Sequence, residues 1–323
     1  MRYANTDDLK YRVGGLLYTP AMNEGIAEKV MNGEIPCLTS LALCLEDTIP
    51  DGALSEAERR LDSTLDALDR ADARRLPLLF IRIRTPEHME HIMRLYARHR
   101  DIITGYVLPK YDLLNSERYI SLVRRANEAP GAKPVYIMPI LESRMIADIA
   151  TRADTLLKLK RGLDGIRDFV LNIRVGGNDF SNLYGLRRSA RQTIYDIGVI
   201  RDIFCDIINV FSADYVVSGP VWEYFGERDG VWDAGLMREL ELDRINGFIG
   251  KTAIHPSQLP IIYESLKARK SDYEDARRIL NWDDDVLAVA KSADGTRMNE
   301  LKCHARWASR VMALAEIYGI RED

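Results

Sequence analysis

Val170–Asp179 reads V-L-N-I-R-V-G-G-N-D, and the chain runs straight on into Phe180. Val, Leu and Ile without helical spacing predict a strand bound for a buried sheet. Gly176 and Gly177 let the backbone turn tightly where it leaves that sheet. Asp179 is therefore expected on a rim, with a rigid strand behind it. Lys133–Glu142, K-P-V-Y-I-M-P-I-L-E, repeats the pattern of a strand followed by a carboxylate. Two consecutive strands that each present an acid at the same end suggest a divalent-cation site.

Outward from these two, the chain offers six more strands. Val13–Tyr18, Thr39–Leu45, Leu76–Arg84 and Ile102–Leu108 come first. Pro134–Leu141 is the fifth and the opening stretch the sixth, with Ala213–Val217 seventh and a very short Phe248-Ile249 eighth. Helices are expected between them. These are Met22–Val30, a helix opened by a Ser55-x-x-Glu58 capping box, one begun at Thr85-Pro86, Ser116–Glu128, Met145–Leu159, Ser189 to about Val210, and Ser257–Lys267. Residues 1–12 read as a polar lead-in. Eight strands alternating with helices predict an α/β fold, a (β/α)₈ TIM barrel; five or six would have favoured a doubly wound sheet. The barrel domain is set at 1–270. Residues 271–323 form a small helical appendage, with helices at Ala276–Val289 and Asn299–Tyr318 and too few apolar residues to sustain a core alone. Trp307, Val311 and Leu314 need cover, so this extension is expected to be a lid or the arm of a homo-oligomer.

The 323 residues are 46% apolar and 29% charged, the balance of an ordinary soluble globule. A formal charge of -4 gives no electrostatic reason to expect nucleic acid or an anionic membrane as a partner. Cys37, Cys44, Cys205 and Cys303 are scattered, which indicates neither a disulfide framework nor a sulfur-ligated metal. No targeting leader or membrane-length apolar run is apparent, and a cytoplasmic location is expected. G-K-T-A-I-H-P lacks Walker A spacing, and R-V-G-G-N-D lacks GxGxxG, so ATP, NAD and FAD have no anchor here. His88, His91, His99 and His304 read as surface histidines.

In a barrel of this kind the reactive rim forms at one set of strand ends. Here it offers Glu46 and Asp47, Arg82 and Arg84, Lys110, Glu142, Asp179, and Lys251 with His255. Neighbouring strands lie about 4.8 Å apart, so Glu142 and Asp179 can reach one ion. Two carboxylates without clustered histidines or thiolates suit Mg²⁺ better than Zn²⁺. Arg82 and Arg84 share side-chain parity, and a guanidinium fork suits a substrate carboxylate. Either could instead pair with Glu46 or Asp47, which could also orient metal-bound waters. Lys110 could neutralise acidic neighbours or touch an anionic substrate.

The ordered series L-Y-T-P, L-E-D, I-R-I-R, L-P-K, I-L-E-S, V-G-G-N-D-F and G-K-T-A-I-H-P-S-Q, from Gly14 to Gln258, resembles the aldolase and citrate lyase beta-subunit family. The resemblance implies carbon–carbon bond chemistry on a (β/α)₈ barrel. It implies Mg²⁺ on Glu142 and Asp179, a substrate carboxylate or carbonyl oxygen on Arg82, and an acidic pair at Glu46 and Asp47. Family members commonly have aspartate where this chain has Cys44 and asparagine where it has Arg84, so a divergent branch is expected. The expected activity is a Mg²⁺-dependent lyase or condensing enzyme acting on a small oxo or hydroxy acid through a metal-stabilised enolate, with no contacts identified for a CoA thioester. A small thioester hydrolase on the same rim and a non-catalytic regulatory barrel are the alternatives.

Overall fold

Parallel pairing joins the strands as a ring. A computed structural model describes residues 6–72, 75–282, 288–292 and 295–323. Its main sheet has eight strands: β1 (Gly15–Pro20), β2 (Ser40–Cys44), β3 (Leu78–Arg82), β4 (Ile103–Leu108), β5 (Tyr136–Leu141), β6 (Ile173–Val175), β7 (Val217–Ser218) and β8 (Lys251–Ala253). They run in the order β7-β6-β5-β4-β3-β2-β1-β8, and a parallel bridge from Gly219 to Lys251 closes the circle. This is the expected TIM barrel. Its interior is a continuous apolar column in which Leu16, Ala42, Leu78, Phe80, Val107, Met138 and Ile140 meet. The polar lead-in is in part a helix, Thr6–Arg12, and Leu9 and Val13 join the same column.

The first five strands fall within a few residues of their expected limits, and the later ones shift for identifiable reasons. β6 is short because the backbone turns into a helix, Gly177–Leu183, immediately after Gly176. Asp179 thus sits in the first turn of that helix and not on the strand end. β7 begins late because Asp214 and Tyr215 still donate backbone hydrogen bonds to Phe211, finishing the preceding helix. The eighth strand is Lys251–Ala253, in place of Phe248-Ile249. Gly250 has φ +75°, and a Cβ there would come within 2.4 Å of the Gly14 carbonyl oxygen. Only glycine lets the chain turn against β1 at that point, so pairing starts one residue later.

Several helices also differ. Leu54–Asp69 follows directly from a short 3₁₀ turn, which puts Ser55 inside the helix, and the expected capping box does not form. Thr85 does cap Pro86–Leu95, its side chain accepting from the His88 N–H. Glu58 faces His88 and His91 at 3.2 and 3.4 Å, and His99 is buried against Asp62 and Asp66, so His99 is not a surface histidine. The expected helix from Ser189 is a 3₁₀ turn, Ile194–Asp196, followed by Gly198–Phe211. Trp232–Ile245 was not anticipated. It turns Asp233, Glu239 and Asp243 inward, which hides the usual apolar stripe.

Two of those inward acids, Glu239 and Asp243, meet Lys251. Its Nζ donates to Glu239 Oε1 and Asp243 Oδ2, both at 2.8 Å, and lysine and partners alike are buried. Lys251 therefore does not face the rim. His255 stacks on Phe225 and accepts from the Ser257 N–H, which holds the turn after β8. Arg188 joins the same network through Glu239 and Glu223, its guanidinium lying over the Trp222 ring.

The chain divides into two compact units, 1–262 and 263–323. The second pairs the helices Lys270–Leu280 and Leu301–Tyr318 around Ala276, Ile279, Ala308 and Val311, with Trp307 at the margin. It also carries short strands: Ala268–Arg269 pairs with Ile320–Arg321, and Val289–Lys291 with Met298–Glu300. The expected helix to Val289 ends at Leu280, and part of that reading, 283–287, lies outside the described residues. No helix among the described residues is long and apolar enough to cross a membrane.

The Lys251 network sets a stability prediction. Lys251→Met leaves Asp243 buried without a cation and Glu239 with Arg188 alone, which should cost about 3–5 kcal/mol. Urea unfolding of both proteins measures it, and a loss below about 1 kcal/mol would show that the acids take up protons at little cost.

Candidate active site

Glu142 follows the last residue of β5 and is buried. β5 and β6 pair Ile140 with Arg174 and Leu141 with Val175, so one step further Glu142 comes level with Gly176. A Cβ at Gly176 would fall 2.2 Å from Glu142 Oε2, and glycine is required there to admit the carboxylate. The other oxygen accepts from the Lys110 backbone N–H at 2.9 Å. Lys110 adopts φ +48°, a costly conformation for a residue with a side chain, and its carbonyl is held by Asn115. The strain aims that N–H at Glu142.

Burial, then the nearby charge of Asp179, pushes the Glu142 carboxyl up to about 8, although Arg82 pulls the other way. Two acids are thus held together at a cost, and Asp179 remains half-buried at the mouth. No cluster of three or more His, Cys, Asp or Glu side chains suited to a metal occurs among the described residues. Two carboxylates leave most of a coordination shell to water and substrate, which fits Mg²⁺.

Around this pair the cations are already engaged. Arg82 ends β3 and reaches Glu46 at 2.8 Å, Asp47 at 3.3 Å and Glu142 at 3.8 Å, with the Tyr18 ring under its guanidinium. Lys110 Nζ donates to Glu46 and, at 3.1 Å, to Asp47 Oδ1. Burial and Asp47 push the Glu46 carboxyl up despite Arg82 and Lys110. On Asp47, burial acts upward too, but Glu46, Arg82 and Lys110 outweigh it and hold that carboxyl low. Glu46 and Asp47 are thus unlike acids placed side by side, an arrangement suited to proton transfer.

Arg84 turns away from this group. Its Nε donates to the Leu45 carbonyl at 2.7 Å, and its other nitrogens hold the Ile49 carbonyl and the Asp51 carboxylate. It fastens the loop after β2 and does not line the cavity, so the expected substrate contact from Arg84 is corrected. Shared parity with Arg82 failed as a guide because Arg84 lies beyond the end of β3.

A cavity of about 420 Å³ opens above the apolar column. Glu142, Asp179, Asp47, Arg82 and Cys44 line it, and so does Arg174, which sequence reasoning passed over as part of an apolar strand. The available signal was its parity with Gly176, two residues on in the same stretch; the register partner Ile140 belongs to the interior column.

The family described as C-C bond lyase of the TIM-barrel fold matches residues 7–320. The chain belongs to this family. It is also 22% identical over 282 residues to human mitochondrial citramalyl-CoA lyase, covering 85% of this chain and 75% of that protein. Among solved structures, a citrate lyase from Burkholderia xenovorans superposes with a TM-score of 0.69 at 17% identity, covering 96% and 93% of the two chains. CitE from Mycobacterium tuberculosis, in complex with magnesium, acetoacetate and coenzyme A, gives 0.63 at 19%, covering 94% and 99%. At such identities the structural likeness carries the fold.

The site of this lyase makes a pH prediction. Glu142 titrates near 8 in the folded metal-free protein against 4.5 ordinarily, so the folded state holds the extra proton between those values. Its stabilising contribution is complete below about 4.5 and is lost as pH rises through about 8. Melting temperatures of wild type and Glu142→Gln should diverge across that window, wild type losing ground as pH rises. Parallel curves would show that Glu142 carries no such proton.

Proposed function

We propose that this lyase cleaves, or in reverse forms, a carbon–carbon bond in a small oxo or hydroxy acid, with Mg²⁺ held by Glu142 and Asp179. The observation that carries the proposal is the acid pair itself, buried Glu142 beside half-buried Asp179. Gly176 makes room for one carboxylate, and the strained Lys110 orients it. A divalent cation offsets the burial and the repulsion that otherwise protonate it. The names of the relatives are in keeping with this chemistry: one acts as a citramalyl-CoA lyase, and another was solved with magnesium and acetoacetate.

Mg²⁺ bound there would polarise the substrate's carbonyl oxygen and take up part of the negative charge that bond cleavage leaves on it. The protein's own groups do the rest. Arg82 has Nη2 within 4 Å of Glu46, Asp47 and Glu142, so it fixes their geometry and adds positive charge beside the reacting carbonyl. Asp47, kept ionised by Arg82 and Lys110, is the carboxylate at the cavity wall that accepts a proton from the substrate hydroxyl. Glu46 with its raised carboxyl can relay that proton. The apolar column below keeps bulk water from reaching the carbanionic product from beneath.

Product analysis with a panel of oxo acids, hydroxy acids and their thioesters, with and without Mg²⁺, tests the proposal. Carbon–carbon cleavage or condensation that requires Mg²⁺ is expected, and thioester hydrolysis alone would overturn it. Asp179→Asn should lower that activity at least about 100-fold while the barrel stays folded by circular dichroism, since half the protein ligands are lost. Full activity in the variant would remove Asp179 from the metal.

A further inference from the structure

Arg174 is a buried cation without a counter-ion. It lies in the middle of β6, is 1% exposed, and borders the cavity. Its Nη2 donates to Thr252 Oγ1 at 2.7 Å, and the Tyr18 hydroxyl stands beside it. Nε and Nη1 have no hydrogen-bond partner, and no carboxylate pairs with it among the described residues. The other cations near the mouth differ. Arg82 and Lys110 share Glu46 and Asp47, and Arg84 has Asp51. A guanidinium stays charged at any working pH, and an unpaired charge away from water is among the costliest features a fold can keep. The N–H groups of Nε and Nη1 are left without acceptors on a side chain that lines the same cavity as Glu142 and Asp179.

We infer that Arg174 binds a second anionic group of the substrate, so that this lyase selects acids carrying two negative groups. The inference rests on the proposed function, because it takes one end of the acid to sit at Glu142 and Asp179. The second group is a carboxylate or a phosphate, either of which can accept in parallel from an Nη1 N–H and the second N–H of Nη2. Arg174 is level with Ile140, and Glu142 is two residues further along β5, a rise of about 6–7 Å. That spacing accommodates a short acid lying along the barrel axis, one end at the mouth and the other on Arg174. Tyr18 and Thr252 add hydroxyls at the inner end. An acid with a single charged group leaves the guanidinium unpaired, and sites whose buried polar groups go unmet discriminate strongly.

The test measures calorimetric affinities of the Mg²⁺-loaded full chain for pyruvate, α-ketoglutarate and phosphonopyruvate. Wild type should bind the better of the two dianionic acids at least about 10-fold tighter than pyruvate, the effect of one charge-assisted hydrogen-bonded pair. Whichever dianion gains more identifies the second group as carboxylate or phosphate. Arg174→Gln and Arg174→Met should abolish that gain and leave pyruvate within about 2-fold, and Arg174→Lys should recover part of it. The metal-free variants should melt no lower than wild type, because an unpaired buried charge has been removed. Dianions no tighter than pyruvate in wild type, or variants that weaken pyruvate equally, would overturn the role of Arg174. Should both neutral variants fail to fold, the wild-type comparison alone still decides. Pyruvate binding that needs Mg²⁺ but gains nothing from a second anion refutes Arg174 only, whereas no Mg²⁺-dependent binding of any acid refutes the metal site beneath it.

Discussion

Repulsion between Glu142 and Asp179 is the constraint around which the barrel mouth is arranged. The carboxylate on β5 is buried and its neighbour's charge works against ionisation. Everything that keeps it in place is local and costly. Gly176 gives up its side chain to admit it, Lys110 holds a left-handed backbone to donate to it, and Arg82 approaches at 3.8 Å. A fold retains such strain where the arrangement serves a purpose. On the proposed function, that purpose is to hold a divalent cation, which relieves the repulsion.

Charge is distributed over this barrel in two separate sets. At the barrel's closing edge, Lys251 lies between Glu239 and Asp243, and Arg188 between Glu239 and Glu223, so these charges have their opposites. Those pairs hold the helix Trp232–Ile245 to β8 and specify its register at the short closing strands. Inside the barrel, Arg82 and Lys110 pair with Glu46 and Asp47, whereas Arg174 has no carboxylate partner among the described residues. The contrast is what the proposed role of Arg174 in binding substrate rests on.

The barrel was legible because its first five strands are apolar runs bounded by turns, and the alternation with helices admits few topologies. The acid pair was legible for the same reason, each carboxylate standing just past such a run. What escaped had physical causes. Lys251 looked like a rim residue because the eighth strand was placed at Phe248-Ile249, before Gly250 had turned the chain. Trp232–Ile245 escaped because its inward face carries acids, which a search for an apolar stripe reads as solvent-facing. Arg84 was misjudged by extending strand parity past Arg82, and Arg174 was overlooked because one arginine in I-R-V looks like an interruption and not an inward cation. The motif series did lead to the right family, since order along the chain is harder to meet by chance than any single motif.

Proton release on metal binding tests the central claim most directly. At pH 7 the acid pair of the metal-free protein should hold close to one proton on Glu142, which Mg²⁺ must displace. Calorimetric titration of Mg²⁺ in two buffers of different ionisation enthalpy gives the number of protons released. About one is expected at pH 7, falling towards zero above pH 9. Binding without proton release at pH 7 would contradict it, because the ion would then occupy a site other than the repelling pair.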